Sequence, residues 1–129
     1  MDLNQYIAEI RAVLSQAEGL DYAYLFGSAL HRLLPESDID ILVGGDLDFE
    51  GRTSLAVELS LRLKRNVDLV PAKEASHELI LSALSQGLPI FVREKGSLRR
   101  DYFQNYFLYD ANTSLRNIRL QRIKTVYAA

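Results

Sequence analysis

The chain contains no cysteine. Disulfide bonds, zinc–thiolate centres and thiol nucleophiles are therefore excluded, and the composition is compatible with a reducing cytoplasm. A long apolar run is also missing. The first 20 residues carry charges throughout and have no apolar centre, so they read neither as a signal peptide nor as a membrane span. Histidine is scarce. His31 and His77 have no spacing that would make them a ligand pair, and both read as surface residues. There are no internal repeats and no low-complexity segments. Nor is there a large excess of one charge, the net value being −2.

That small net charge hides an uneven distribution. Residues 1–92 hold seven Lys/Arg against fourteen Asp/Glu, whereas residues 93–129 hold eight against three. An acidic body thus carries a basic, aromatic tail. The tail's cations suit either a solvated helix face that pairs with the body's acids or a docking surface for an acidic partner, protein or nucleic acid. The length of 129 residues and a hydrophobic content of 48% fit one domain with a real core.

Leu3, Tyr6, Ile7, Ile10, Val13 and Leu14 follow helical spacing up to a stop at Gly19. Residues 22–26 form a short aromatic and apolar strand, broken by Gly27-Ser28. A short helix is expected over 29–34, ended by Pro35. A second strand covers 39–43 and closes on Gly44-Gly45, and 46–53 reads as a polar loop. Residues 55–64 alternate strictly, as a strand would, but their Leu, Ala, Glu, Arg and Lys content favours a helix. Helix is the reading adopted, because a crossover helix would explain the strand at 67–70. A helix over 76–85, a strand over 88–92 and a helix over 98–109 with Ser97 as N-cap follow. A last helix spans 114–126, with Leu115, Ile118 and Val126 on one side. Tyr102, Phe103, Tyr106 and Phe107 recur at positions that suit packing on a core better than stacking on bases. Strands alternating with helices give an α+β (α/β-like) domain with a small mixed sheet and helices packed on it.

The chemistry concentrates in three segments. In a strand, side chains at i and i+2 share a face, so Asp38 and Asp40 project together, about 7 Å apart at Cα. Two acids on one face repel unless a cation sits between them, and a hard divalent ion such as Mg²⁺ or Mn²⁺ suits carboxylate oxygens. Asp68 interrupts an apolar strand whose Val67 and Leu69 face the core. Such an acid is costly unless paired or metal-bound. If its strand lies beside 39–43, Asp68 joins the other two acids, and the three can hold metal with phosphate oxygens completing the shells. Gly27 allows backbone N–H groups to approach an anion, and Ser28 adds a hydroxyl. Arg32 is a candidate for stabilising triphosphate charge.

Gly27-Ser28, Asp38-Ile39-Asp40 and Asp68 together resemble the signature of the DNA polymerase β-like nucleotidyltransferase superfamily. The small size is similar to its minimal nucleotidyltransferases, including the MntA-type antitoxins paired with HEPN-domain HepT toxins. Nine residues separate Ser28 from Asp38, one fewer than is usual in that family, and Arg32 falls one residue later than the usual arginine. The resemblance implies a polymerase β-like fold, with residues 1–97 as nucleotidyltransferase core and 98–129 as a basic aromatic helical tail of the same domain. It implies Asp38, Asp40 and Asp68 as catalytic and metal-binding residues, Asp68 assisting the incoming nucleophile. Gly27, Ser28, Arg32 and Ser37 become the nucleotide-binding set, with Mg²⁺ or Mn²⁺ as cofactor and ATP as substrate.

The expected activity is transfer of AMP from ATP to a hydroxyl on a partner, because the chain is too short for a separate acceptor-binding domain. The resemblance implies a HEPN-type toxin modified on tyrosine, with this chain as a cytoplasmic antitoxin and the tail as its contact. Two other readings stand beside it. One is a non-catalytic module that neutralises its partner by occlusion, against which the intact acids argue. The other is a nucleic-acid-binding protein using the tail, against which the acidic body argues.

Overall fold

The structure is a computed structural model that describes the backbone of residues 2–128 and the side chains of residues 2–111. Helix α1 (Leu3–Leu14) starts with a reciprocal cap. Asp2 Oδ1 accepts from the Gln5 N–H at 2.9 Å, and Gln5 Oε1 accepts from the Asp2 N–H at 2.8 Å. Such a cap is worth about 1 kcal/mol. Tyr6, Ile7, Ile10, Val13 and Leu14 are its buried face, as the spacing predicts.

Strands β1 (Leu20–Phe26), β2 (Ile39–Gly45), β3 (Val67–Pro71) and β4 (Leu88–Val92) form one mixed sheet in the order β3-β2-β1-β4. β1 pairs antiparallel with β2 and β4, whereas β2 and β3 are parallel. A parallel pair needs a crossover, and α2 (Phe49–Leu63) supplies it. Helices α3 (His77–Gln86) and α4 (Lys95–Ala128) complete the α+β arrangement expected from the sequence.

Side chains alternate across the sheet and build two cores. Ala23, Leu25, Ile39, Ile41, Val43, Val67, Leu69 and Ile90 bury one face together with residues of α1 and α2. On the other face Tyr22 and Leu42 pack with Ile80 and Ala83 of α3 and, from α4, Leu98. Gly44 makes that second core possible. A Cβ at Gly44 would stand 2.0 Å from Tyr22 Cε1, so the fully buried Tyr22 ring can only lie across a residue without one. The Tyr22 hydroxyl donates to Asp101 Oδ2 at 2.7 Å, which ties α4 to the sheet. Burial, and then the Asp101 carboxylate, push the Tyr22 phenol far above its ordinary value.

Several elements differ from the sequence reading. The expected helix over 29–34 is a single 3-10 turn (Ser28–Leu30), since Ser37 Oγ accepts from the Leu34 N–H at 2.9 Å and closes the chain into a loop. The expected loop over 46–53 is cut short, because the Asp48 side chain accepts from Gly51 N and starts α2 at Phe49. The two helices expected beyond residue 97 are one continuous helix, α4, with Ser97 inside its first turn rather than at its cap. The proposed sidedness of Leu115, Ile118 and Val126 lies outside the described side chains. Of the four α4 aromatics expected to pack on a core, Tyr102 is half-buried, whereas Phe103 is 56% exposed, Tyr106 48% and Phe107 69%. His31 is exposed as expected, while His77 is half-buried with its Nδ1 3.0 Å from Asn105 Oδ1. Among the described residues no helix is long and apolar enough to cross a membrane.

Helix α2 ends on an exposed side chain in a conformation that favours glycine. Lys64 has φ 54° and ψ 39°. A residue with a Cβ pays roughly 1 kcal/mol there. Lys64→Gly is therefore expected to stabilise the fold by about 0.5 kcal/mol or more, seen as a higher urea midpoint at an unchanged slope. A lower midpoint would contradict this reading of the α2 terminus.

Candidate active site

The register of β2 and β3 decides the arrangement of the acids. Asp40 is the direct partner of Asp68 in the parallel pair, and Phe26 of β1 is the antiparallel partner of Asp40. Partners in register share a face, so Phe26, Asp40 and Asp68 form one row across three strands. Asp38 lies two residues before Asp40, at the mouth of β2. The structure thus gathers the three predicted acids at one end of the sheet. Their neighbours Val67 and Leu69 point the other way into the core, as expected.

The three carboxylates differ in environment. Asp38 and Asp68 are exposed, whereas Asp40 is half-buried. Burial raises the Asp40 carboxyl above its ordinary value, and the charges of Asp68 and Asp38 raise it further. Asp40 is therefore the acid that most needs a cation. Among the described residues no three or more His, Asp or Glu side chains converge closely enough to hold a metal ion. Asp38 and Asp68 flank Asp40 as an open set of exposed side chains. The donors are all hard oxygens, which suits Mg²⁺ or Mn²⁺.

Gly27 follows Phe26 directly and adopts φ 88°, ψ −164°, a region open only to glycine. The missing side chain matters for contact as well. A Cβ at Gly27 would stand 2.7 Å from Asp40 Oδ2, so the carboxylate rests against the glycine backbone. The Gly-Ser turn and the acid row are consequently one site. In the following turn the Leu30 N–H donates to Gly27 O at 3.2 Å, and the His31 and Arg32 N–H groups donate to Ser28 O at 3.1 and 3.0 Å. The N–H groups of Ser28 and Ala29 precede these bonds, where a helical turn leaves donors unused. Ser28 itself is exposed.

The other two nucleotide-binding candidates occupy the loop between the turn and Asp38. Arg32 is exposed and makes no ion pair with any described residue. Ser37 uses its hydroxyl within the loop, accepting from Leu34 N and lying 3.4 Å from Arg32 O. Sequence reasoning missed Arg65. Its Nη1 donates to Leu34 O at 2.7 Å, Pro35 O at 3.2 Å and Ser37 O at 3.0 Å. These contacts span about thirty residues, and no local pattern announces them.

An open groove of about 630 Å³ runs between α2 and the edge strand β3, and of the three acids only Asp68 lines it. At the other end of the sheet, where β1 begins and β2 ends, a polar cavity of about 530 Å³ is lined by residues that include Lys73, His77, Arg100 and Asn105. Lys73 and Asp46 form an ion pair there, and Lys73 holds the Asp46 carboxyl below its ordinary value.

No curated protein sequence matches the chain at a significant level. Among the solved structures similar over nearly their whole length are three from toxin–antitoxin pairs. The toxin–antitoxin complex MntA–HepT shares 25% identity at a TM-score of 0.70, covering 93% of this chain and 97% of that one. A toxin–antitoxin structure with AMP-PNP shares 25% at a TM-score of 0.71, covering 94% and 98%. The tri-AMPylated Shewanella oneidensis HEPN toxin in complex with MNT antitoxin shares 25% at 0.70, covering 93% and 97%. Residues 8–96 match the family described as Polymerase beta, Nucleotidyltransferase. That span holds the Gly-Ser turn and all three acids, and the chain belongs to the polymerase beta nucleotidyltransferase family.

Proposed function

We propose that this chain transfers AMP from ATP to a tyrosine hydroxyl of a HEPN-type partner and thereby acts as the antitoxin of the pair in the cytoplasm. The observation that carries the reading is the row formed by Asp40 and Asp68 in register, with the Asp40 carboxylate against Gly27. The similar structures with a HEPN toxin and with AMP-PNP support the choice of partner and nucleotide.

Asp38 and Asp40 would hold Mg²⁺ or Mn²⁺ together with the triphosphate oxygens, and Asp68 would complete a second position near the acceptor. A divalent cation bound there supplies charge neutralisation for the phosphoryl oxygens. Gly27 and Ser28 orient the triphosphate through backbone N–H groups and the Ser28 hydroxyl. Arg32 offers its guanidinium to the same phosphates. The acceptor oxygen attacks the α-phosphorus in line, forming the new O–P bond as the bond to pyrophosphate breaks. Asp68, which opens onto the groove along β3, accepts the proton of the hydroxyl.

The partner would bind along α4, where Phe103, Tyr106 and Phe107 are exposed beside basic residues. The tail from residue 98 onward then serves as a docking arm on a nucleotidyltransferase core of residues 1–97. Occlusion alone is the competing reading for such a surface, and it predicts neutralisation of the partner without ATP. Intact-mass measurement of a co-incubated HEPN partner tests the proposal. With ATP and Mg²⁺ the partner is expected to gain one or more AMP groups on tyrosine, and its toxicity should fall with that gain. Full neutralisation with no mass gain would instead establish occlusion.

A further inference from the structure

The geometry points to Arg65 as a positioning residue that sets Asp38 in place for the cation, an inference that rests on the active-site reading above. Arg65 follows the left-handed Lys64 at the end of α2, and its side chain reaches the loop that leads into β2. There a single nitrogen, Nη1, serves the carbonyls of Leu34, Pro35 and Ser37. The guanidinium also lies over the Tyr6 ring, with its Cζ 5.0 Å from the centroid.

The residue preceding Asp38 is thereby fixed through its carbonyl. The residue following it is fixed through its N–H, since Ile39 N donates to Asn66 O at 2.9 Å. Arg65 and Asn66 are adjacent, so two consecutive residues at the mouth of β3 clamp Asp38 from both sides. The clamp has a physical task. Asp38 is exposed on a loop and confronts Asp40, and like charges drive it away from the row. Without a restraint the loop would relax outward and separate the two carboxylates. The anchoring comes at a cost, because Arg65 Nε is buried with no hydrogen-bond partner.

Lysine at this position keeps the charge, but its ammonium sits one bond nearer the backbone than Nη1 and has no plane to lie flat on the Tyr6 ring, so it cannot hold both sets of contacts. The test measures Mn²⁺ affinity of the protein without nucleotide, by titration calorimetry, alongside AMP transfer. Arg65→Lys is expected to weaken Mn²⁺ binding about tenfold, as loss of a residue supporting a metal ligand does. The transfer rate should fall, the metal concentration for half-maximal rate should rise in parallel, and KM for ATP should stay within about twofold. If circular dichroism shows that Arg65→Lys is unfolded, Tyr6→Leu, which removes the ring under the guanidinium, carries the same expectation with a smaller effect. Wild-type Mn²⁺ affinity and transfer rate in a folded variant would overturn the role of Arg65 while leaving the active site standing. No Mn²⁺ binding by the wild-type chain would overturn both.

Discussion

Replacing Asp40 with asparagine is expected to reduce AMP transfer by two to three orders of magnitude, on the order of the loss when a transition-state charge stabiliser is removed, and to raise the melting temperature near neutral pH. The two effects have one origin. Burial, then Asp68, then Asp38 hold the Asp40 carboxyl above its ordinary value. The folded chain therefore binds the Asp40 proton more tightly than the unfolded chain does. Its favourable contribution is fully present below the unfolded value of about 3.9 and is lost as pH rises through the raised folded value. Above that point the charged carboxylate is a net liability to the fold. The amide of the Asp40→Asn variant has no proton to lose, so the stability gap in its favour should widen from acid to neutral pH and then level off. Saturating Mn²⁺ should stabilise the wild type and close the gap, with little effect on the variant. A melting-temperature series from acid to neutral pH, with and without Mn²⁺, reads all of this. A variant less stable at every pH, or one that keeps its activity, would contradict the assignment of Asp40.

Gly27→Ala is expected to damage both the fold and the activity although it adds one methyl group. At φ 88° and ψ −164° a residue with a Cβ is strained by about 1–3 kcal/mol. The new methyl would also fall 2.7 Å from Asp40 Oδ2 and 3.5 Å from Asp40 Cβ and Cγ. Either the turn or the carboxylate must move, and displacement by about an ångström costs on the order of a hundredfold in rate. Urea unfolding gives the first quantity and kcat/KM for AMP transfer the second. Ser28→Ala leaves the backbone conformation intact and should cost less in both. Wild-type kcat/KM in Gly27→Ala would show that the turn and the acid do not work as one unit.

Much of this site could be read from the sequence because it depends on short-range geometry. Two acids at i and i+2 share a face wherever a strand runs. Asp68 between Val67 and Leu69 had to face away from the core those residues enter. Choosing a helix over 55–64 then made β2 and β3 parallel neighbours, which is what brings Asp68 beside Asp40. The misreadings have physical reasons. The Asp48 cap sits among Gly45, Asp46 and Gly51, and that composition looks like a loop until the hydrogen bond to Gly51 is seen. The stretch 110–114 is polar and poor in helix formers but holds neither Gly nor Pro, so α4 continues through it. Helical spacing of aromatics is the same whether a face meets the body's own core or another protein, so the exposure of Phe103 and Phe107 had no signal in the pattern. Arg65 acts through carbonyls some thirty residues away, and only the folded chain brings them together.

The central claim is that Asp38, Asp40 and Asp68 share one cation-binding row next to the Gly27-Ser28 turn. Anomalous diffraction from crystals grown with Mn²⁺ and a non-hydrolysable ATP analogue addresses it most directly. The account predicts manganese peaks bounded by these three carboxylates, with the triphosphate against the turn. Manganese and triphosphate found instead in the polar cavity beside Lys73 and Arg100, with the acid row bare, would contradict it.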